Sequence, residues 1–262
     1  MQPTTLGHNR TGAAMSPAAL QAMNEAADDL SPTQVIDTSS LQIQKMAFNS
    51  ESEAVGSVPS PSTAKGYLKT GLAKLKGGEP TVLLDKLGER IAFERTGTRL
   101  YDALIAKYKA TLESGDDALL PAPPAVQAAG APAETPLETL MGIRAEELAH
   151  FKLLTQAVIK MGGDPTSQTP SADVTAVASM GIMQVLNDPR TTLAQSLNAM
   201  LTAELTDNAG WEMLIGLADD AGETDLVRGF KVALMDEQRH LQVIKTWLTA
   251  LVSTPAQPAE AV

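Results

Sequence analysis

The chain has 262 residues, 44% of them apolar and only 3% aromatic, so Leu, Ala, Val and Met must fill its core. A formal net charge of −11 argues against a general nucleic-acid binder and favours attraction of cations. The absence of cysteine excludes disulfides, zinc ribbons and cysteine-ligated iron–sulfur centres.

No apolar run is long enough to span a bilayer, and the N-terminus lacks the pattern of a secretory signal, so a cytoplasmic protein is expected. Residues 1–62, rich in Ser, Thr, Pro, Ala and Gln, read as a weakly ordered arm. Within it Ser16-Pro17 opens a short helix through Leu20, Met23 and Ala27, and Ser31-Pro32-Thr33-Gln34 resembles a second helix start. Residues 63–78 carry Lys65, Lys69, Lys74 and Lys76 among Tyr67, Leu68, Leu72 and Leu75, the pattern of a small basic amphipathic helix. Such a face usually packs on its own domain with its charges solvated, and less often meets an anionic surface.

Residues 79–254 read as four long helices, and 255–262 as a tail. The first begins at Pro80 and runs to about Ser114. Thr135-Pro136-Leu137-Glu138 is a capping box that starts the second, which stops at Gly162-Gly163. Asp188-Pro189 is expected to open the third, ending near Asp219, and a turn at Ala221-Gly222 leads to the fourth, through Val252. The Pro- and Ala-rich stretch 114–134 reads as a flexible loop or a cover over one end. The stretch 163–187 has a helical piece of its own, Ala172 to Leu186, which suits a crossover between helices two and three. The fold class is therefore all-α, a four-helix bundle with that long crossover.

Two segments carry the chemistry. Glu147 and His150 are three apart on the second helix, as are Glu237 and His240 on the fourth, and both pairs interrupt apolar stripes. A lone buried histidine is usually a satisfied core residue, but these are two of only three histidines in the chain, the other being His8. The first and third helices repeat each other: Glu94 and Glu204 are each followed by Thr two residues on and by an aromatic, Tyr101 or Trp211, seven residues on. Each glutamate occupies a position where periodicity demands an apolar side chain. Four carboxylates balance two divalent ions, and two imidazoles complete an oxygen-and-nitrogen donor set suited to iron or manganese.

A Glu from each of two helices and Glu-x-x-His from each of the other two is the pattern of di-metal carboxylate bundles. On these residues, the stretch from about Pro80 to Val252 resembles the ferritin-like superfamily, especially its bacterioferritin and rubrerythrin side. The resemblance implies Glu94, Glu147, His150, Glu204, Glu237 and His240 as ligands of two iron ions, with manganese an alternative, and Glu147 and Glu237 as the bridges. It implies Tyr101 as the catalytic residue, orienting a ligand or supplying a proton and an electron. Glu146 and Asp236 are proposed acceptors for the imidazole N–H groups, with solvent-facing acids as the equal alternative. Gly97 and Thr98 suggest either space for an oxidant or close helix packing.

Departures narrow the family reading. Trp211 stands where the bacterioferritin pattern has a second tyrosine, and an indole can only donate. Leu148 replaces the methionine that would ligate haem, so haem is not expected. A rubrerythrin-type cysteine-ligated iron is excluded. The leading functional expectation is a dinuclear oxidase, oxidising Fe(II) or another reductant with dioxygen or peroxide. The alternative is a non-catalytic metal-binding structural or stress-related protein; a homo-oligomer, up to a mineral-storing cage, is open under either.

Overall fold

The computed structural model describes residues 7–34, 36–61, 63–64, 66–67, 71, 80–114, 120–122 and 134–253. Among them all regular structure is helical. The chain divides into two units, Pro3–Val55 and a larger one from Gly56 onward.

The smaller unit holds α1 (Pro17–Leu30) and α2 (Ser39–Glu51), neither of which has a buried residue. Pro17 starts α1 as expected, but Ser31 ends it rather than opening another helix, and α2 waits for Thr38. With Leu30, Met46 and Phe48 all exposed, these helices lack an apolar partner within their own unit.

The larger unit contains α3 (Pro80–Glu113), α4 (Pro136–Met161), α5 (Pro170–Asn187), α6 (Leu193–Asp220) and α7 (Thr224–Ser253). The capping box at Thr135 and Glu138 is formed, each side chain bonding the other's backbone N–H, and Gly162 ends α4 in the left-handed conformation (φ 85°). The third long helix starts later than Asp188-Pro189. Asp188 instead caps the end of α5, and a second capping box, Thr192 with Gln195, starts α6. Asp188 Oδ1 accepts from the Arg190 backbone N–H at 2.9 Å, so its side chain caps a turn.

Within the expected arm, the residues from Gly56 onward group with the larger unit. Val58 packs on the apolar core, and the Gly66 backbone lies so close to Gly162 that a Cβ on Gly66 would stand 2.6 Å from the Gly162 carbonyl oxygen. The segment after residue 55 therefore belongs with the larger unit. Most of the expected basic helix 63–78, including its four lysines, lies outside the described residues. Of the stretch 114–134, Leu120 is buried in the core and the Pro121 carbonyl accepts a 2.9 Å hydrogen bond from the Trp247 indole, as a cover would.

Burial on the four long helices alternates in steps of three and four: Leu83, Leu87, Arg90, Glu94, Gly97, Tyr101, Leu104 and Tyr108 on α3; Leu140, Ile143, Glu147, His150, Leu154, Ala157 and Met161 on α4. On α6 the same rhythm passes through Leu197, Met200, Glu204, Asp207 and Trp211, and on α7 through Phe230, Ala233, Glu237, His240 and Ile244. Such alternation keeps one narrow seam facing the neighbouring helices. The apolar part of the seam falls into two clusters. One gathers Leu100 and Leu104 of α3, Leu140 and Ile143 of α4, Leu197 and Met200 of α6, and Ile244 and Trp247 of α7. The other gathers Leu83 and Leu87, Leu154 and Met161, Trp211 and Leu214, and Leu226 and Phe230. On every helix the acidic and histidine positions lie between the two. No described helix is long and apolar enough to cross a membrane.

Candidate metal centre

The seams bring Glu94 of α3, Glu147 and His150 of α4, Glu204 of α6, and Glu237 and His240 of α7 together, all buried. Glu94, His150 and Glu237 each offer a donor atom within 4.8 Å of the others, as do Glu147, Glu204 and His240. Glu237 stands between the imidazoles: its Oε1 is 2.7 Å from His150 Nδ1 and its Oε2 3.2 Å from His240 Nδ1. His240 Nδ1 is also 3.5 Å from Glu147 Oε1, and His150 Nδ1 3.6 Å from Glu94 Oε2.

Burying this many charges is costly unless something pairs them. Among the described residues, seven buried side-chain nitrogen and oxygen atoms lack a hydrogen-bond partner, and five belong to this group: Glu94 Oε2, Glu147 Oε2, His150 Nδ1, Glu204 Oε2 and Glu237 Oε1. His150 Nδ1 and Glu237 Oε1 are close yet misaligned for a bond to each other. Buried donor atoms that converge without bonding one another are what a cation site requires, so the residues fit a pair of divalent transition-metal ions.

The far side of each imidazole meets an acid on the other helix. His240 Nε2 is 2.8 Å from Glu146 of α4, and His150 Nε2 is 3.4 Å from Asp236 of α7. Arg239 in turn pairs with Glu146. With Nε2–H donated outward, each ring turns Nδ1 inward, the arrangement that fixes a ligating histidine.

Without an ion, protons and internal pairs carry the charge. Burial pushes the Glu147 carboxyl well up, and the Glu237 charge adds to this; the same causes take Glu204 to about 8. Burial opposes the charge on Glu237 and on His150, but the imidazolium of His240, with His150, holds Glu237 down to about 2, and the contacts with Glu237 and Glu94 raise His150 to about 10. Tyr101, fully buried, donates its hydroxyl to Glu204 Oε1, and burial with the Glu204 charge lifts its pKa well above the ordinary phenol value. The Trp211 ring packs edge-on against His150, with centroids 5.4 Å apart.

Gly97 does not leave space for an oxidant. A Cβ there would lie 2.0 Å from Glu147 Oε2, so the Glu147 carboxylate occupies the room the glycine provides. Thr98 hydroxyl bonds the Glu94 carbonyl oxygen of its own helix.

Three residues that sequence reasoning did not assign also belong to the centre. Arg90, buried, donates from Nη2 to Glu94 Oε1 at 3.0 Å and pairs with Asp207. Asp207 can meet Glu94, Glu147 and Glu237 around one ion. Asn208 Nδ2 donates to the backbone carbonyls of Glu204 (2.9 Å) and Glu237 (3.1 Å), tying α6 to α7. The signal for Arg90 and Asp207 was their place in the three-four seam, four before Glu94 and three after Glu204. Comparison of the chain with known family models, curated proteins and solved structures returned no match. The centre therefore stands on its own geometry.

Proposed function

We propose that this chain is a ferritin-like protein that holds two iron ions, or a manganese–iron pair, between its four long helices and oxidises Fe(II) or another reductant with dioxygen or peroxide. The observation that carries the reading is the convergence of four glutamates and two histidines, with five of their donor atoms left unpartnered in the interior.

The order of the apolar clusters supports a four-helix bundle. Along α3 and α7 the cluster of Phe230 precedes the centre, and along α4 and α6 the cluster of Trp247 does. Helices α4 and α6 thus run the same way, so the chain between them must return along the body. Helix α5, packed on α3 and α6, makes that crossover.

When bound, the metal pair supplies the electrons for reducing an oxidant. The chain's own residues set the conditions. Glu94, Glu147, His150, Glu204, Glu237 and His240 would hold the pair, Glu237 from its place between the two imidazoles and Glu147 from the room left by Gly97. Glu146 and Asp236 hold the histidine rings by their Nε2–H groups. Tyr101 keeps its proton at neutral pH and presents it at Glu204 Oε1, where it orients the carboxylate and stands as the nearest phenolic proton and electron source. The two apolar clusters exclude water from either side.

The test is anaerobic titration with Fe(II), followed by oxygen. About two ions per chain and oxidation faster than that of free Fe(II) are expected. Two bound ions without accelerated oxidation would favour the non-catalytic metal-binding alternative; no binding would overturn both.

A further inference from the structure

A guanidinium is an unexpected wall for a cation site, yet this chain builds one in. Arg90 is buried on the seam of α3, its side chain lies 4.3 Å over the Phe93 ring, and α6 makes room for it with Gly210. A Cβ at Gly210 would stand 2.8 Å from Nη1 and 3.0 Å from Cζ of Arg90. The single nitrogen Nη2 reaches both Glu94 Oε1 and Asp207 Oδ1.

The other single glutamate is held differently. Glu94 and Glu204 each have Oε1 engaged by a donor and Oε2 unpartnered, but the donor is a permanent cation for Glu94 and a neutral phenol for Glu204. Asp207 compensates. Five carboxylates and one guanidinium leave four formal negative charges, matching two divalent ions.

We propose that Arg90 and Asp207 are a positioning pair that makes the two metal positions unequal: Arg90 restricts Glu94 to a single free oxygen and weakens the position formed with His150 and Glu237, relative to that of Glu147, Glu204 and His240. Asp207 limits the weakening by balancing the guanidinium. The inference rests on the dinuclear reading above. Its mark is opposite effects from two members of one ion pair. Loss of a merely structural pair weakens the site whichever partner is removed.

The experiment is titration of the full chain with Co(II), followed by visible absorption, with His150→Ala and His240→Ala each used to leave one position intact. The wild type should bind two ions with affinities at least about tenfold apart, the scale of one partly compensated charge at contact range. Asp207→Asn, which leaves Arg90 unbalanced, should weaken the His150 position about tenfold or more, and Arg90→Gln should strengthen it by a similar factor. The double variant should lie near wild type, and Arg90→Lys, which keeps the charge, should retain the separation. If Arg90→Gln loses its helical circular dichroism, Asp207→Asn and Arg90→Lys decide. Weakening by both single replacements, equal affinities in the wild type, or an Arg90→Lys protein with merged affinities overturns the inference while leaving the dinuclear reading intact. A wild-type chain that takes up no Co(II) overturns both.

Discussion

Replacing Gly97 with alanine probes how tightly the centre is built. The added methyl would sit 2.0 Å from Glu147 Oε2 and 2.9 Å from its Cδ, so the carboxylate must retreat by about 1 Å or more to reach ordinary contact. Glu147 is buried and has the rest of the cluster behind it. Overpacking of this kind costs about 1–3 kcal/mol, and the helix-propensity gain of alanine over glycine returns roughly 1 kcal/mol. The metal-free variant should therefore be destabilised by no more than about 2 kcal/mol. The larger effect falls on metal binding, because ligand distances must hold to about 0.2 Å. With metal at about 100 times its dissociation constant, one filled position stabilises the fold by about 2.7 kcal/mol, a rise of roughly 5–10 °C in Tm for a domain of this size. Thermal unfolding with and without Co(II) should show that rise in the wild type and little of it in Gly97→Ala. Gly216→Ala on α6, where a Cβ meets nothing within 4 Å, should keep the rise and gain slightly in stability. A Gly97→Ala protein with the wild-type metal-induced shift would refute the placement of Glu147 and, with it, the site.

Other perturbations separate the parts. His150→Ala and His240→Ala should each lower metal content measured by elemental analysis, and His8→Ala should not. Tyr101→Phe should retain two ions but slow oxidation of the Fe(II)-loaded protein; unchanged kinetics would remove the phenol from the chemistry. Deleting residues 1–55 should leave the helical content of the remainder and its metal uptake intact, since that unit contains none of the proposed ligands. In the metal-free protein, Glu204 holds its proton up to about 8 against an ordinary 4.5, and His150 up to about 10 against 6.5. Between those values the folded state binds more protons than the unfolded, so apo stability should fall as pH rises from 5 to 9. Glu237 acts oppositely and only in acid, its contribution being lost as pH falls from 4.5 toward 2. Metal must displace these protons, so its stabilisation should grow over the same range in which apo stability falls.

The six proposed ligands were legible because each broke an apolar rhythm with a group that burial penalises. Their neighbours were harder to read. Arg90 was masked because an arginine four residues before a glutamate is the ordinary pattern of a solvated helix pair. Asp207 and Asn208 are the polar counterparts of Gly97 and Thr98 one turn after Glu204, but nothing in the sequence names their partners, Arg90 and the Glu237 carbonyl on other helices. The alternation of three and four through Met200, Glu204, Asp207 and Trp211 is what places Asp207 in the seam. On the last helix the apolar periodicity of Phe230, Leu234, Leu241, Ile244, Leu248 and Leu251 marks the inward side. Phe230 and Ile244 lie in the seam, the four leucines at its partly exposed edge, and Ala233 and Trp247 complete it. The start of α6 was misplaced because Asp-Pro is a turn signal as well as a helix opener, and here the side chain caps the turn. Glu146 and Asp236 were legible as candidate imidazole acceptors from their places beside Glu147 and Glu237, but which ring each one meets crosses between helices and has no signature in either helix alone.

The internal repeat makes these placements more than separate facts. Matching Glu94 with Glu204 matches Arg90 with Met200, Gly97 with Asp207, and Tyr101 with Trp211. At all three pairs the members differ in charge or hydrogen-bonding capacity, and all three lie in the seams against the centre. The differences are also coupled. Arg90 uses the acid at Asp207, Gly97 admits Glu147, and Tyr101 reaches across to Glu204. A repeat that served only packing would be free to keep the same apolar residue at matched positions. One that keeps its six donor residues and diverges in the groups touching them would, on the dinuclear reading, give two unequal positions from nearly equal ligand sets, so that one ion would bind more firmly than the other.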